Sequence, residues 1–245
     1  MPPAAFTAAE RPDLSERVDF DVWPAYNTHG DVLNRYWRRL YDDFAEFQFV
    51  LYDDGEDVVL AEGHTIPFAW DGTAEGLPAG IDGLVEDAFR LRTKRGVPIA
   101  LSALAIEIRP TAQRGGLSRS MIEAMAELAR RHGLGDLVAP LRPSWKERYP
   151  LVPIERYSAW TREDGLPFDP WIRTHVRLGG ELLRAEPESM RISGTVAEWE
   201  SWTEMLFPES GEYVFPHGLA PVRIDRERDL GLYFEPNVWL VHRLG

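Results

Sequence analysis

Six consecutive residues, Gln113-Arg114-Gly115-Gly116-Leu117-Ser118, separate an apolar run from an amphipathic one, and their types suit anion binding. Backbone N–H groups at a helix start are unpaired and point outward, toward a phosphate or another anion. Glycines just before the helix let a ligand approach the chain closely. Arg109, Arg114 and Arg119 add positive charge, and no acid lies between the first and the last of them. The spacing is not that of a P-loop, since no Gly-Lys-Ser/Thr follows a four-residue gap, and no GxGxxG can be written. An ordinary strand-to-helix turn would also use glycines; the arginines and the proline that ends the strand favour the ligand reading.

Those residues need a strand before them and a helix after them. Ile99 to Ile108 is apolar and partly alternating, broken at Pro110, and Leu117 to His132 has the helical spacing of an amphipathic segment. Gly133-Leu134-Gly135 reads as a helix stop, Leu137 to Leu141 as a short strand, and Pro143 to Tyr149 as a short helix ended by Pro150. Upstream, residues 1–14 read as a loose leader and Val18 to Trp23 as a first strand. Asp31 to Phe47 reads as one helix, Phe47 to Tyr52 and Val58 to Trp70 as a hairpin, and Ile81 to Arg95 as a further helix. Beyond Pro150 the pattern mixes strands, such as Pro221 to Ile224 and Leu230 to Val241, with one helix near Val196 to Met205. Hairpin strands with interspersed helices and no repeating βαβ unit predict an α/β (α+β) fold with a mixed sheet. No repeat or low-complexity linker divides residues 1–245, so a single domain is expected, with 150–245 as an extended C-terminal part.

The chain of 245 residues carries a net charge of −13, and the excess is local. Between Asp42 and Asp87 there are 13 acids and no lysine or arginine; the rest holds 27 of each sign. A field this negative disfavours nucleic acid and anionic membrane as partners. There is no cysteine, which excludes disulfides, thiolate metal sites and cysteine nucleophiles. No basic, apolar leader and no apolar run of about 20 residues is present, so a cytoplasmic protein is expected.

Ile106-Glu107-Ile108-Arg109-Pro110, followed by Gln113 to Ser118, resembles the acyl-CoA signature of the GNAT acyltransferase superfamily. That signature is an apolar strand ending Val/Ile-x-Pro, then Gln/Arg-x-x-Gly-x-Gly/Ala at the start of a long helix. Ser118 departs from its usual small apolar last position. The resemblance is specific over Leu101 to Tyr149 and weak after Pro150. It implies a largely antiparallel, splayed sheet flanked by helices, with acetyl-CoA (or another acyl-CoA) as co-substrate lying between two diverging strands. Carried over residue by residue, Ile106 and Ile108 would offer main-chain groups to the pantetheine arm. Gln113, Arg114, Gly115, Gly116, Leu117 and Ser118 would wrap the pyrophosphate, with Arg114 and Arg119 neutralising charge.

The implied reaction is direct acyl transfer to an amine, which needs a base and an acid. Glu107 is the base candidate: it alternates with Ile106 and Ile108, and faces either the cleft or solvent. Tyr149 stands where the family often has a tyrosine acid, although Pro150 replaces the family's Leu-Gly-Phe turn; Tyr157 is the fallback, and a packing tyrosine is the plain alternative. No two histidines fall at metal-ligand spacing and no His-Glu-x-x-His run exists, so no metal is expected. His64 reads as structural, with a base role as the alternative. Trp160, Trp171, Trp199, Trp202 and Trp239 could wall an acceptor pocket or pack a core. The expected protein is an N-acetyltransferase acting on a small-molecule or peptide amine, with a homodimer allowed. The rivals are an acyl-CoA-binding sensor and a partner-docking domain of the same fold.

Overall fold

Two parallel strands begin side by side and then part. In the computed structural model, which describes residues 3–113 and 116–245, the first of them is preceded in the chain by β1 (Ala4–Thr7), α1 (Pro12–Ser15), α2 (Leu33–Tyr36), α3 (Arg39–Asp43), β2 (Gln48–Asp53), β3 (Val58–Phe68) and α4 (Gly80–Thr93). The parting pair is β4 (Ala100–Ile108) and β5 (Asp136–Leu141), joined by α5 (Leu117–Arg131). Then follow α6 (Ile154–Ser158), α7 (Pro170–Arg177), β6 (Glu181–Gly194), α8 (Val196–Thr203), β7 (Gly211–Tyr213), β8 (Val222–Asp225) and β9 (Leu230–Arg243). The strands form one sheet in the order β1-β2-β3-β4-β5-β9-β8-β7, with β6 also paired to β9. Only β4–β5 is parallel; every other pairing is antiparallel.

The parting is visible in the register. β4 and β5 pair only through Ala100–Ser102 and Asp136–Val138, although both strands continue. On its other edge β4 stays paired with β3 to Ile108, with a bulge that leaves Leu104 without a partner. A bulge bends a strand and re-aims the side chains beyond it. On β9, residues 231–241 pair with β6 along one edge; on the other, 230–232 pair with β8 and 238–243 with β5. Among the described residues, 233–237 therefore have no partner strand on that second edge.

Helices cover both faces. α5 buries Met121, Ile122, Met125, Leu128 and Ala129 at helical spacing. It can approach the sheet because Gly63 of β3 has no side chain: a Cβ there would lie 2.4 Å from the Phe49 ring and 3.0 Å from Met121. Residues alternate across a strand, so Glu62 and His64 face away from α5, toward α2 and α3. One large core joins these layers, and a second cluster under α6 and α7 is built from Ala139, Leu141, Ile154, Tyr157, Ile172 and Val238.

Several expectations need correction. Ala4–Thr7, expected within a loose leader, is an edge strand paired with β2. Val18 to Trp23, expected as a strand, is irregular and crosses the end of β4, where Asp19 accepts from Arg109. The long helix expected from Asp31 to Phe47 is divided into α2, α3 and a 3-10 turn at Ala45–Phe47. Tertiary contacts override helical spacing here: Tyr36 and Phe44 both pack on Phe89, and Trp37 and Tyr41 both pack on His64.

Candidate active site

A cavity of about 530 Å³ fills the gap between the parted strands. It crosses the sheet. On the α5 and α7 side its walls include Ile106, Ile108, Gln113, Ser118, Trp171 and His175; on the other they include Trp23, Asn27, Asn34, Trp37 and Met190. Glu107, Arg142, Glu235 and Asn237 supply the polar groups near the middle strands.

Glu107 belongs to a polar cluster built by strand register. It stands opposite Glu62, and Ala105 stands opposite His64, so both acids and the histidine share one face. All three side chains are buried. His64 Nε2 lies 3.5 Å from Glu62 and 3.9 Å from Glu107. Gln48 fixes the other ring nitrogen. Its amide donates to the carbonyls of Phe44 and Thr65, so its Oε1 is left to accept from His64 Nδ1 at 3.2 Å. Tyr41 donates to Glu62, and Trp37 packs on the His64 ring.

The two acids are pushed apart electrostatically. Burial raises the pKa of Glu107, and the negative charges of Glu62 and Asp21 add to this against the Trp23 hydrogen bond and His64. Burial also works on Glu62, but His64 and Tyr41 outweigh it and hold its pKa below the ordinary value. A raised carboxylate beside a cavity, backed by a lowered one, is an arrangement that can take up a proton from a ligand in that cavity. Glu62, His64 and Glu107 also bring ligand-type atoms within 4.8 Å of one another. Spacing along one strand could not show this grouping, because Glu107 arrives from the neighbouring strand.

The glycine loop is described in part. Arg114 and Gly115 lie outside the described residues. Gly116 caps α5 with φ 74°, a left-handed conformation that favours glycine, and nothing lies within 4 Å of where its Cβ would be. Ser118, in the first turn of α5, lines the cavity, and Gln113 lines it while donating to the Ile108 carbonyl at 3.3 Å. Leu117 packs on the core. Free strand edges, a long helix starting at the cavity and open space at Gly116 fit an extended, phosphate-bearing thioester.

The basic island is largely committed elsewhere. Arg109 donates to the Val59 carbonyl and to Asp19, and Arg119 pairs with Glu123 at 2.7 Å on the exposed face of α5. The helix amides remain as the anion-binding groups described. Tyr149 also needs correction. It packs edge-on against Trp160 and Phe168, beside Tyr157, and is absent from the cavity lining. The Tyr157 hydroxyl donates to Asp169, which also accepts from the backbone N–H groups of Ser144, Trp145, Trp171 and Ile172. These two tyrosines hold a loop and a helix together. Of the five C-terminal tryptophans, Trp171 lines the cavity while Trp199 and Trp239 are core.

Arg142, Glu235, Asn237 and His175, none of them singled out in the sequence, also line the cavity. Glu235 accepts from Arg142 and from Tyr233. Burial works against the Arg142 charge, but Glu235, Tyr26 and Tyr233 together outweigh it and push the guanidinium pKa up. His175 Nδ1 lies 2.9 Å from His242 Nε2, and its own Nε2 has no hydrogen-bond partner among the described residues.

The chain is 33% identical to the arginine N-acetyltransferase avaD of Aspergillus versicolor, over 96% of its own length and 92% of that protein. It belongs to the GNAT acyltransferase superfamily. No protein-family model matches the GNAT chain. Solved structures agree on the fold: the loading GNATL domain of CurA from Lyngbya majuscula aligns with a TM-score of 0.57 at 16% identity, covering 99% of this chain and 98% of that one. The GNAT-like decarboxylase GphF in complex with isobutyryl-CoA aligns with a TM-score of 0.55 at 15% identity, covering 100% of both. The GNAT enzyme described here is an acyl-CoA-dependent N-acetyltransferase, with acetyl-CoA as co-substrate. Among the described residues no helix is long and apolar enough to cross a membrane.

Proposed function

We propose that this enzyme acetylates a small cationic amine of the arginine type by direct attack, with Glu107 as the base. The observation that carries the reading is the placement of Glu107: buried, raised in pKa and lining the cavity beside Trp23 and Trp37. Acetyl-CoA supplies the activated acyl carbon. Ile106 and Ile108 would present strand main-chain groups to its pantetheine arm, and Gln113 to Ser118 would hold its pyrophosphate at the start of α5. The amine nitrogen forms the new N–C bond, the C–S bond breaks with its electron pair going to sulfur, and the amine proton passes to Glu107. Glu62 and His64 sit behind Glu107 and keep it poised. Aromatic faces attract cations, so Trp23 and Trp37 suit a guanidinium or ammonium group. The arginine acetyltransferase relative supports the same substrate class.

The test is thiol release from acetyl-CoA in the presence of arginine, a polyamine, an aminoglycoside and a peptide N-terminus. Arginine should be turned over well above the other three, with no acetylated protein detected by mass spectrometry when the acceptor is omitted. Preference for a peptide or aminoglycoside would overturn the substrate class, and a competent acetyl-enzyme would overturn direct attack.

A further inference from the structure

We propose that Arg142 is a carboxylate anchor, so that the acceptor is a free amino acid with a cationic side chain rather than a decarboxylated amine or a peptide residue. The inference rests on the reading above and adds a second pole to the site. Arg142 is the one arginine or lysine among the described residues lining the cavity. Its neighbour Lys146 is committed to the carbonyls of Tyr149 and Leu219. Three contacts hold the Arg142 guanidinium in place. Nε donates to Glu235, while Nη2 donates to the Tyr26 hydroxyl at 3.0 Å and to the His217 carbonyl at 2.7 Å. Nη1, with two N–H groups, has no hydrogen-bond partner among the described residues.

A guanidinium fixed on one side with donors free on the other is preorganised for a carboxylate, because little rotamer entropy is left to lose. Charge balance points the same way. Among the described residues lining the cavity, two carboxylic side chains, Glu107 and Glu235, stand with one guanidinium, Arg142, a set that suits a ligand with two cationic groups and one carboxylate. An amine lacking the carboxylate would carry one more positive charge and offer no acceptor to Nη1 of Arg142. Asn27, which donates to Glu235 at 3.4 Å, and Asn237 also line this part of the cavity.

The experiment compares L-arginine, L-argininamide and agmatine as acceptors in the wild-type enzyme. Hydrogen bonds to a charged group set the expected scale, and kcat/KM should fall roughly 10- to 100-fold without the carboxylate. The loss should lie mainly in KM. Arg142→Lys, which keeps a charge beside Glu235 but removes the guanidinium fork, should lower arginine kcat/KM by a larger factor than argininamide kcat/KM, bringing their ratio toward one. Equal use of arginine and argininamide would overturn the proposal, as would an Arg142→Lys effect of the same size on both. If arginine is no acceptor at all, the arginine-type reading fails. The ratio of any accepted amino acid to its amide then still decides the role of Arg142.

Discussion

Glu107 stands directly opposite Glu62 across the β3–β4 pair, with the His64 ring against both carboxylates. Two buried acids in one register position cannot be equivalent, and only Glu107 reaches the cavity. The rise in its pKa comes from burial first and from neighbouring negative charge second. kcat/KM should therefore climb with pH through a value above that of an ordinary glutamate, about 4.3. Glu107→Gln should lower kcat by roughly 10²- to 10⁴-fold, the usual worth of a positioned base. A pH–rate profile of both enzymes checks this; a wild-type profile retained in Glu107→Gln would remove the role.

The Glu62, His64 and Glu107 atoms are close enough to hold a cation. As a proton-handling cluster they need none. Dialysis against EDTA should leave turnover unchanged, and loss of activity restored by a divalent ion would reassign the triad to a metal.

Gly116 should matter to ligand and backbone together. Its φ of 74° costs an ordinary residue about 1–2 kcal/mol, while the open space around it adds no clash. Gly116→Val should lower the urea midpoint slightly and weaken acetyl-CoA binding at least tenfold in calorimetry. Unchanged affinity would detach the loop from the co-substrate.

Acid should find the His175–His242 pair. Burial drives the pKa of His175 down to about 3 and lowers that of His242, whereas the unfolded chain titrates near 6.5. The unfolded state binds more protons below that value, so the pair's contribution is intact above about pH 6.5 and is lost as pH falls toward 3. The limiting slope is about 1.4 kcal/mol per pH unit for each histidine. Urea unfolding at pH 8 and pH 5 should show a smaller loss in the His175→Phe, His242→Leu double variant than in wild type.

The stretch from Leu101 to Leu141 was legible because periodicity, proline and glycine punctuate it locally, and β4, α5 and β5 fall within a residue or two of expectation. Helical spacing over Asp31 to Phe47 was misleading, since the aromatic residues there are drawn to two distant partners, Phe89 and His64. The site was half legible. Glu107, Ile106, Ile108, Gln113 and Ser118 reach the cavity, and they are close in sequence to the signature. Arg142, Glu235 and Asn237 carry no local signal; only the long pairing of β9 with β6 and β5 brings them to the gap. Tyr149 failed for the converse reason. Its position in the chain was right, but the aromatic neighbours that hold it come from residues 157–168.

The cavity opens the sheet from one face through to the other. Under the proposed reaction, a thioester held on the α5 side and an amine held on the α2 side would face each other across the gap. Both could then be bound at once, and with no cysteine in the chain a thioester carried on the enzyme itself is not available to that reaction.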